Sequence, residues 1–178
     1  MKKNKVSKNW LKEQRQDIFF NKSKIKGYRS RSAFKLIEIN KKFRIKKKNS
    51  FLLDLGASPG GWSQVAASII TEGKIMAIDL KDMEKIEKVK FVKINIIKKE
   101  FDNKIYEYFN NKIDIVISDM AANTTGDKNL DSYRTGELCL KAMELAKNNL
   151  KKDGVFLTKV FMGGAFIKVN EKAKNYFK

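Results

Sequence analysis

The 178-residue chain, 20.6 kDa, suits one domain with a sizeable core. It has no histidine and a single cysteine, Cys139, which excludes histidine-dependent triads and intramolecular disulfides and leaves a zinc site unexpected. Its net charge of +19 is concentrated: residues 1–48 hold 18 Lys or Arg against three acids, the footprint of a polyanionic partner, whereas residues 49–178 hold 21 against 17.

Residues 1–28 form a basic arm with Trp10, Phe19, Phe20 and Tyr28 interspersed. Such an arm is either a solvated extension or an RNA-contacting one, in which rings stack on bases and cations follow phosphates. Residues 30–40 read as a helix that Ser30 or Ser32 caps, with Phe34, Leu36 and Ile37 on its buried side. Lys35 lies beside those apolar positions, and spacing alone favours a lysine that lays its stem on the core and its head in water. Residues 41–48 are a basic connector.

From residue 50 onward strands and helices alternate. Strands are expected over 51–55, 74–78, 89–94, 113–117 and 155–161, and helices over 62–70, 97–109, 130–150 and 165–177. Residues 151–154 read as a turn. This alternation predicts an α/β fold, a mostly parallel doubly wound sheet covered by helices. No apolar run approaches the roughly 18 residues of a membrane span. The basic first residues lack the apolar core of a secretory signal, so a cytoplasmic protein is expected.

Asp54-Leu55-Gly56-Ala57-Ser58-Pro59-Gly60-Gly61-Trp62 joins the first strand to a helix through a glycine-rich turn. A turn of this kind brings backbone N–H groups and a helix N-terminus to the carboxyl edge of the sheet, where nucleotide-type cofactors bind. Ser58 stands where a dinucleotide fingerprint needs its second glycine, so a cofactor without a pyrophosphate, S-adenosylmethionine, fits better. Asp79 ends the second strand, where a carboxylate meets ribose hydroxyls. Asp119 ends the fourth, and Lys159 interrupts the otherwise apolar fifth. A lysine there requires a partner. Asp119 and Lys159 are therefore either a structural ion pair or a reacting one.

Arg31-Ser32-Ala33-Phe34-Lys35-Leu36, the glycine turn with Ser63-Gln64, Ser118-Asp119-Met120-Ala121 and Lys159-Val160-Phe161 together resemble the FtsJ/RrmJ family, S-adenosylmethionine-dependent 2′-O-methyltransferases of large-subunit ribosomal RNA that act on a uridine ribose. The resemblance runs in order from residue 31 to residue 161. It implies a Rossmann-like methyltransferase fold over residues 29–178 and catalytic roles for Lys35, Asp119 and Lys159, the first three members of the family's K-D-K-E tetrad. It also implies cofactor contacts from Gly60, Trp62, Asp79 and Asp119, and from Asn95 in place of a family aspartate. Ala122 stands where the family usually has proline. The family continues past the point where this chain stops, Lys178, with two further strands and the tetrad glutamate, which Glu171 does not match. The sheet is therefore expected to be C-terminally short.

The implied reaction needs alignment of a 2′-hydroxyl and removal of its proton. With no histidine, Lys159 is the expected base, Asp119 orients it, and Lys35 holds ribose or phosphate. Large-subunit ribosomal RNA or the ribosomal particle is the expected partner, with no membrane, no metal and a monomeric enzyme. The alternative is a non-catalytic RNA- or ribosome-binding module descended from a methyltransferase.

Overall fold

A computed structural model describes residues 17–44, 47–98 and 100–177. Trp10 and the rest of residues 1–16 lie outside the described residues. In chain order the elements are α1 (Ile18–Ile25), α2 (Ser32–Phe43), β1 (Phe51–Leu55), α3 (Gly61–Ile69), β2 (Lys74–Asp79), β3 (Val89–Lys93), α4 (Glu100–Phe109), β4 (Ile113–Ser118), α5 (Lys128–Asn149), β5 (Leu150–Thr158) and α6 (Gly164–Tyr176).

The five strands pair in parallel in the order β3-β2-β1-β4-β5. The chain leaves β1 toward β2 and β3 on one side, then returns to place β4 and β5 on the other. The direction reverses between β1 and β4, which opens a crevice beyond their carboxyl ends. Central strands of such a sheet are covered on both faces and so read as continuous apolar runs. Leu52, Ile75, Ile115 and Ile117 meet α2 and α3 through Ala33, Leu36, Trp62, Val65 and Ala66 on one face. Leu53, Leu55, Met76, Ile78 and Val116 meet α4 and α5 through Phe101, Ile105, Ala142 and Leu145 on the other. Cys139 is buried where α5 meets α6, and burial pushes its thiol pKa up, as for a small core residue without reactivity.

The described part of the basic arm gains detail, and three local expectations are corrected. Part of the basic arm is helical: Asp17 Oδ1 caps α1 by accepting from Phe19 and Phe20 N–H at 2.9 and 3.1 Å, and Phe19 and Tyr28 pack on the Phe34 ring. Ser30 and Ser32 do not cap α2; their hydroxyls bond each other at 2.7 Å. The expected turn at 151–154 is absorbed into β5 as an irregularity. Ile113 pairs with Leu150, Ile115 already pairs with Val155, and Asp153 takes φ +64°. Lys159 lies just past β5 rather than within it, although its N–H still donates to Ser118 O at 3.0 Å. Ending the strand at Thr158 lets the lysine head leave the core, so its side chain is about one quarter exposed.

Candidate active site

The turn after β1 is built by backbone bonds. Gly56 and Ala57 N–H both donate to Ile78 O of the neighbouring strand, at 2.8 and 3.0 Å, and Gly60 N–H donates to Ala57 O at 2.7 Å. Gly56 has φ +76°, and an added Cβ would run into the Met120 side chain and lie 3.2 Å from its Cα. Two strand ends thus approach more closely than any side chain would permit. Gly60, with φ +110°, is the N-cap residue of α3, which has no side-chain cap at its N-terminus.

Two cavities flank this turn. The larger, about 760 Å³, runs past Ile78, Asp79, Asn95, Ile96, Asp119 and Met120. The smaller, about 260 Å³, lies between the start of α2 (Ser30, Arg31, Ser32) and Trp62. Gly56, Ser58 and Asp119 border both.

The expected site residues distribute around these cavities. Asp79 Oδ2 accepts from Ser58 N–H at 2.9 Å and Oδ1 from Lys81 N–H at 2.8 Å. Each oxygen keeps acceptor capacity for a hydroxyl. Asn95 Oδ1 accepts from Ile97 N–H at 3.0 Å, which leaves the amide NH2 as a donor in the cleft. Trp62 is buried, donates Nε1–H to Ser32 O at 2.9 Å, and presents one edge to the smaller cavity. Gly60 borders neither cavity directly; it underlies the turn against Met83, Ile86 and Arg29.

Lys159 Nζ donates to Asp119 Oδ1 at 2.6 Å and to Asp119 O at 2.9 Å, and the Phe161 ring centroid lies 5.8 Å away. The structure therefore joins two of the three expected catalytic side chains. Lys35 is exposed one turn into α2, beyond the cavity-lining Ser30–Ser32 segment, and borders neither cavity. Among the described residues, no group of three or more His, Cys, Asp or Glu is arranged to hold a metal ion, and no helix is long and apolar enough to cross a membrane.

Sequence reasoning missed Asp131. This buried residue of α5 accepts from Thr125 N–H (2.7 Å), Thr125 Oγ1–H (2.8 Å) and Gly126 N–H (3.3 Å), anchoring the far end of the loop that Asp119 begins. The Thr125 N–H, ahead of the other donors, holds its carboxyl below the ordinary carboxylate range. A carboxyl depressed in the fold stabilises it above the unfolded pKa of about 3.9, and that contribution is lost as pH falls through the folded value. Asp131→Asn is therefore expected to be less stable than the parent at pH 7, with the gap narrowing below about pH 4 in thermal unfolding scans. A gap independent of pH would show that the anchor does not depend on the carboxylate charge.

The cofactor expected from the sequence fits this donor set. A carboxylate suited to two vicinal hydroxyls, an amide donor beyond it and an apolar slot between Ile78 and Met120 match ribose and base, while the turn that excludes a Cβ admits a close-lying chain.

Comparison with known proteins agrees with that geometry. The family model for FtsJ-like methyltransferases matches residues 28–178. A ribosomal RNA large subunit methyltransferase E from Pelagibacter ubique is 46% identical over 100% of this chain and 88% of its own length. The protein of the same name from Rickettsia akari is 44% identical over 99% of this chain and 81% of its own. A crystal structure described as a ribosomal RNA methyltransferase from Plasmodium falciparum superposes with a TM-score of 0.77 at 33% identity, covering 83% of this chain and 86% of that one. With its Rossmann-type sheet, its glycine turn and a match over nearly its whole length, the chain belongs to the FtsJ-like methyltransferase family, whose cofactor is S-adenosylmethionine.

Proposed function

We propose that this chain methylates the 2′-hydroxyl of a uridine ribose in large-subunit ribosomal RNA. Lys159, Asp119 and Lys35 are its catalytic residues in this reading; Trp62, Asp79, Asn95 and Asp119 hold the cofactor, and Gly60 contributes by shaping the turn beneath it. The observation that carries the reading is the Lys159–Asp119 pair, whose Asp119 borders both cavities. The names of the relatives support ribosomal RNA as the substrate class.

When bound, S-adenosylmethionine supplies a methyl group already activated on a sulfonium. What the chain must add is alignment and a proton acceptor. Two bonds from Lys159 Nζ to Asp119, one to the carboxylate and one to the carbonyl, fix two of its tetrahedral directions. In the neutral amine a third direction is a lone pair, and it takes the 2′-hydroxyl proton. Asp119 thus orients the base. Lys35, exposed one turn past the Ser30–Ser32 segment that lines the smaller cavity, contacts the ribose or an adjoining phosphate in this reading.

The division into a basic arm, 1–28, and a methyltransferase domain, 29–178, belongs to the same reading. The arm presents exposed Lys22, Lys24 and Lys26 along α1 and its end to the RNA backbone. The enzyme is a cytoplasmic monomer, with the ribosomal particle or its RNA as partner. Incubation of large-subunit particles with methyl-labelled cofactor should place one label on a ribose 2′-oxygen, with incorporation falling steeply as salt rises. Binding without incorporation into either particles or free ribosomal RNA would favour a non-catalytic RNA-binding module instead.

A further inference from the structure

Arg29 lies outside the motif-bearing residues named above, yet its side chain ties together two segments that frame the cleft. Its guanidinium is largely buried. Nη1 donates to Glu84 O at 2.7 Å and to Pro59 O at 3.3 Å, and Nη2 donates to Lys85 O at 2.9 Å. One end of this tie is the glycine turn and the other is the irregular segment 80–88 between β2 and β3. The arginine is itself held in place: its N–H donates to Gln64 Oε1 at 2.8 Å, and Gln64 Nε2 donates to Gly27 O at 3.1 Å. A rigid fork of donors is what three carbonyls on two segments require; a lysine is a single point and cannot span them.

The same two segments orient Asp79. Its carboxylate accepts from Ser58 N–H, one residue before Pro59, and from Lys81 N–H, the second residue of the 80–88 segment. Ser58 Oγ–H adds a 3.2 Å bond to Asp82 O across the same gap. We propose that Arg29 is a positioning residue for cofactor binding. By locking the turn to the 80–88 segment it fixes the two N–H groups that aim the Asp79 carboxylate into the cleft. The carbonyls it holds belong to exposed residues, so water can reach them when the guanidinium is removed. The tie then opens while the core stays intact.

This inference rests on the cofactor reading of the cleft, and its test is a double-mutant cycle read by calorimetric titration with S-adenosylhomocysteine. Arg29→Ala should weaken binding about tenfold and raise KM for the cofactor to match, with kcat at saturation within about twofold of the parent. In an Asp79→Ala background the same change should cost almost nothing, because the group it positions is gone. A purely structural arginine would cost the same in both backgrounds, and that result, or unaltered binding by Arg29→Ala, would overturn the inference alone. Failure of the parent protein to bind S-adenosylhomocysteine would overturn the cofactor reading and the inference together. Should Arg29→Ala not fold, Arg29→Gln, which keeps a single amide donor group, enters the same cycle with the same criteria.

Discussion

Lys159→Ala is expected to lower methyl transfer by roughly 10²–10⁴-fold, the span of a lost general base, while S-adenosylhomocysteine binds within about twofold of the parent. The asymmetry follows from where the lysine sits. Its Nζ reaches Asp119 but Lys159 borders neither cavity, whereas Asp79, Asn95 and Met120 line the larger one. Removal of a partly exposed ion pair costs about 1 kcal/mol or less, so the unfolding midpoint should fall by no more than a few degrees. Lys159→Arg should not restore turnover, because a guanidinium keeps its proton at any working pH. Single-turnover incorporation beside a binding titration separates these effects. Parent-like turnover by the alanine variant would remove Lys159 from the chemistry.

Much of this site could be read from the sequence because its groups stand at strand ends. Asp79 closes β2, Asp119 follows β4, and Lys159 breaks an apolar run at β5, so alternation of apolar stretches with loops already places all three at one edge of the sheet. The pairing of Asp119 with Lys159 was legible for a simple reason: an isolated ammonium beside the core needs a carboxylate, and few are available at that edge. Arg29 and Asp131 were not legible. Arg29 acts through carbonyls and Asp131 mainly through backbone N–H groups, and those are present at every position whatever the side chain. Pattern reasoning sees residue types and cannot see which loop returns to meet them. The 151–154 segment misled for a related reason. Its Lys-Lys-Asp-Gly composition is that of a turn, but pairing with β4 on both sides draws it into the ladder and leaves Asp153 left-handed. Lys35 shows the opposite limit. Both its spacing and its exposure suit a solvated lysine, and the catalytic role proposed for it comes from the motif it occupies.

Gly56→Ala should damage the cofactor site strongly. Two costs combine at this position. The backbone sits at φ +76°, where a Cβ costs about 1–2 kcal/mol, and the new methyl collides with Met120, the first residue of the loop beyond Asp119. Relief requires β1 and β4 to part at their carboxyl ends, which moves the turn and the 119–123 segment that together border both cavities. A total cost of roughly 2–4 kcal/mol is expected, or about 5–15 °C in the unfolding midpoint for a domain of this size. S-adenosylhomocysteine affinity should fall by about tenfold or more, since the displaced atoms are those the ligand would lie against. Gly126→Ala supplies the control. Gly126 has φ +95°, but a Cβ there meets nothing within 4 Å. It should therefore show the conformational cost of about 1–2 kcal/mol with cofactor affinity near that of the parent. A Gly56→Ala protein that folds and binds the ligand as the parent does would mean that the ligand does not rest on this turn.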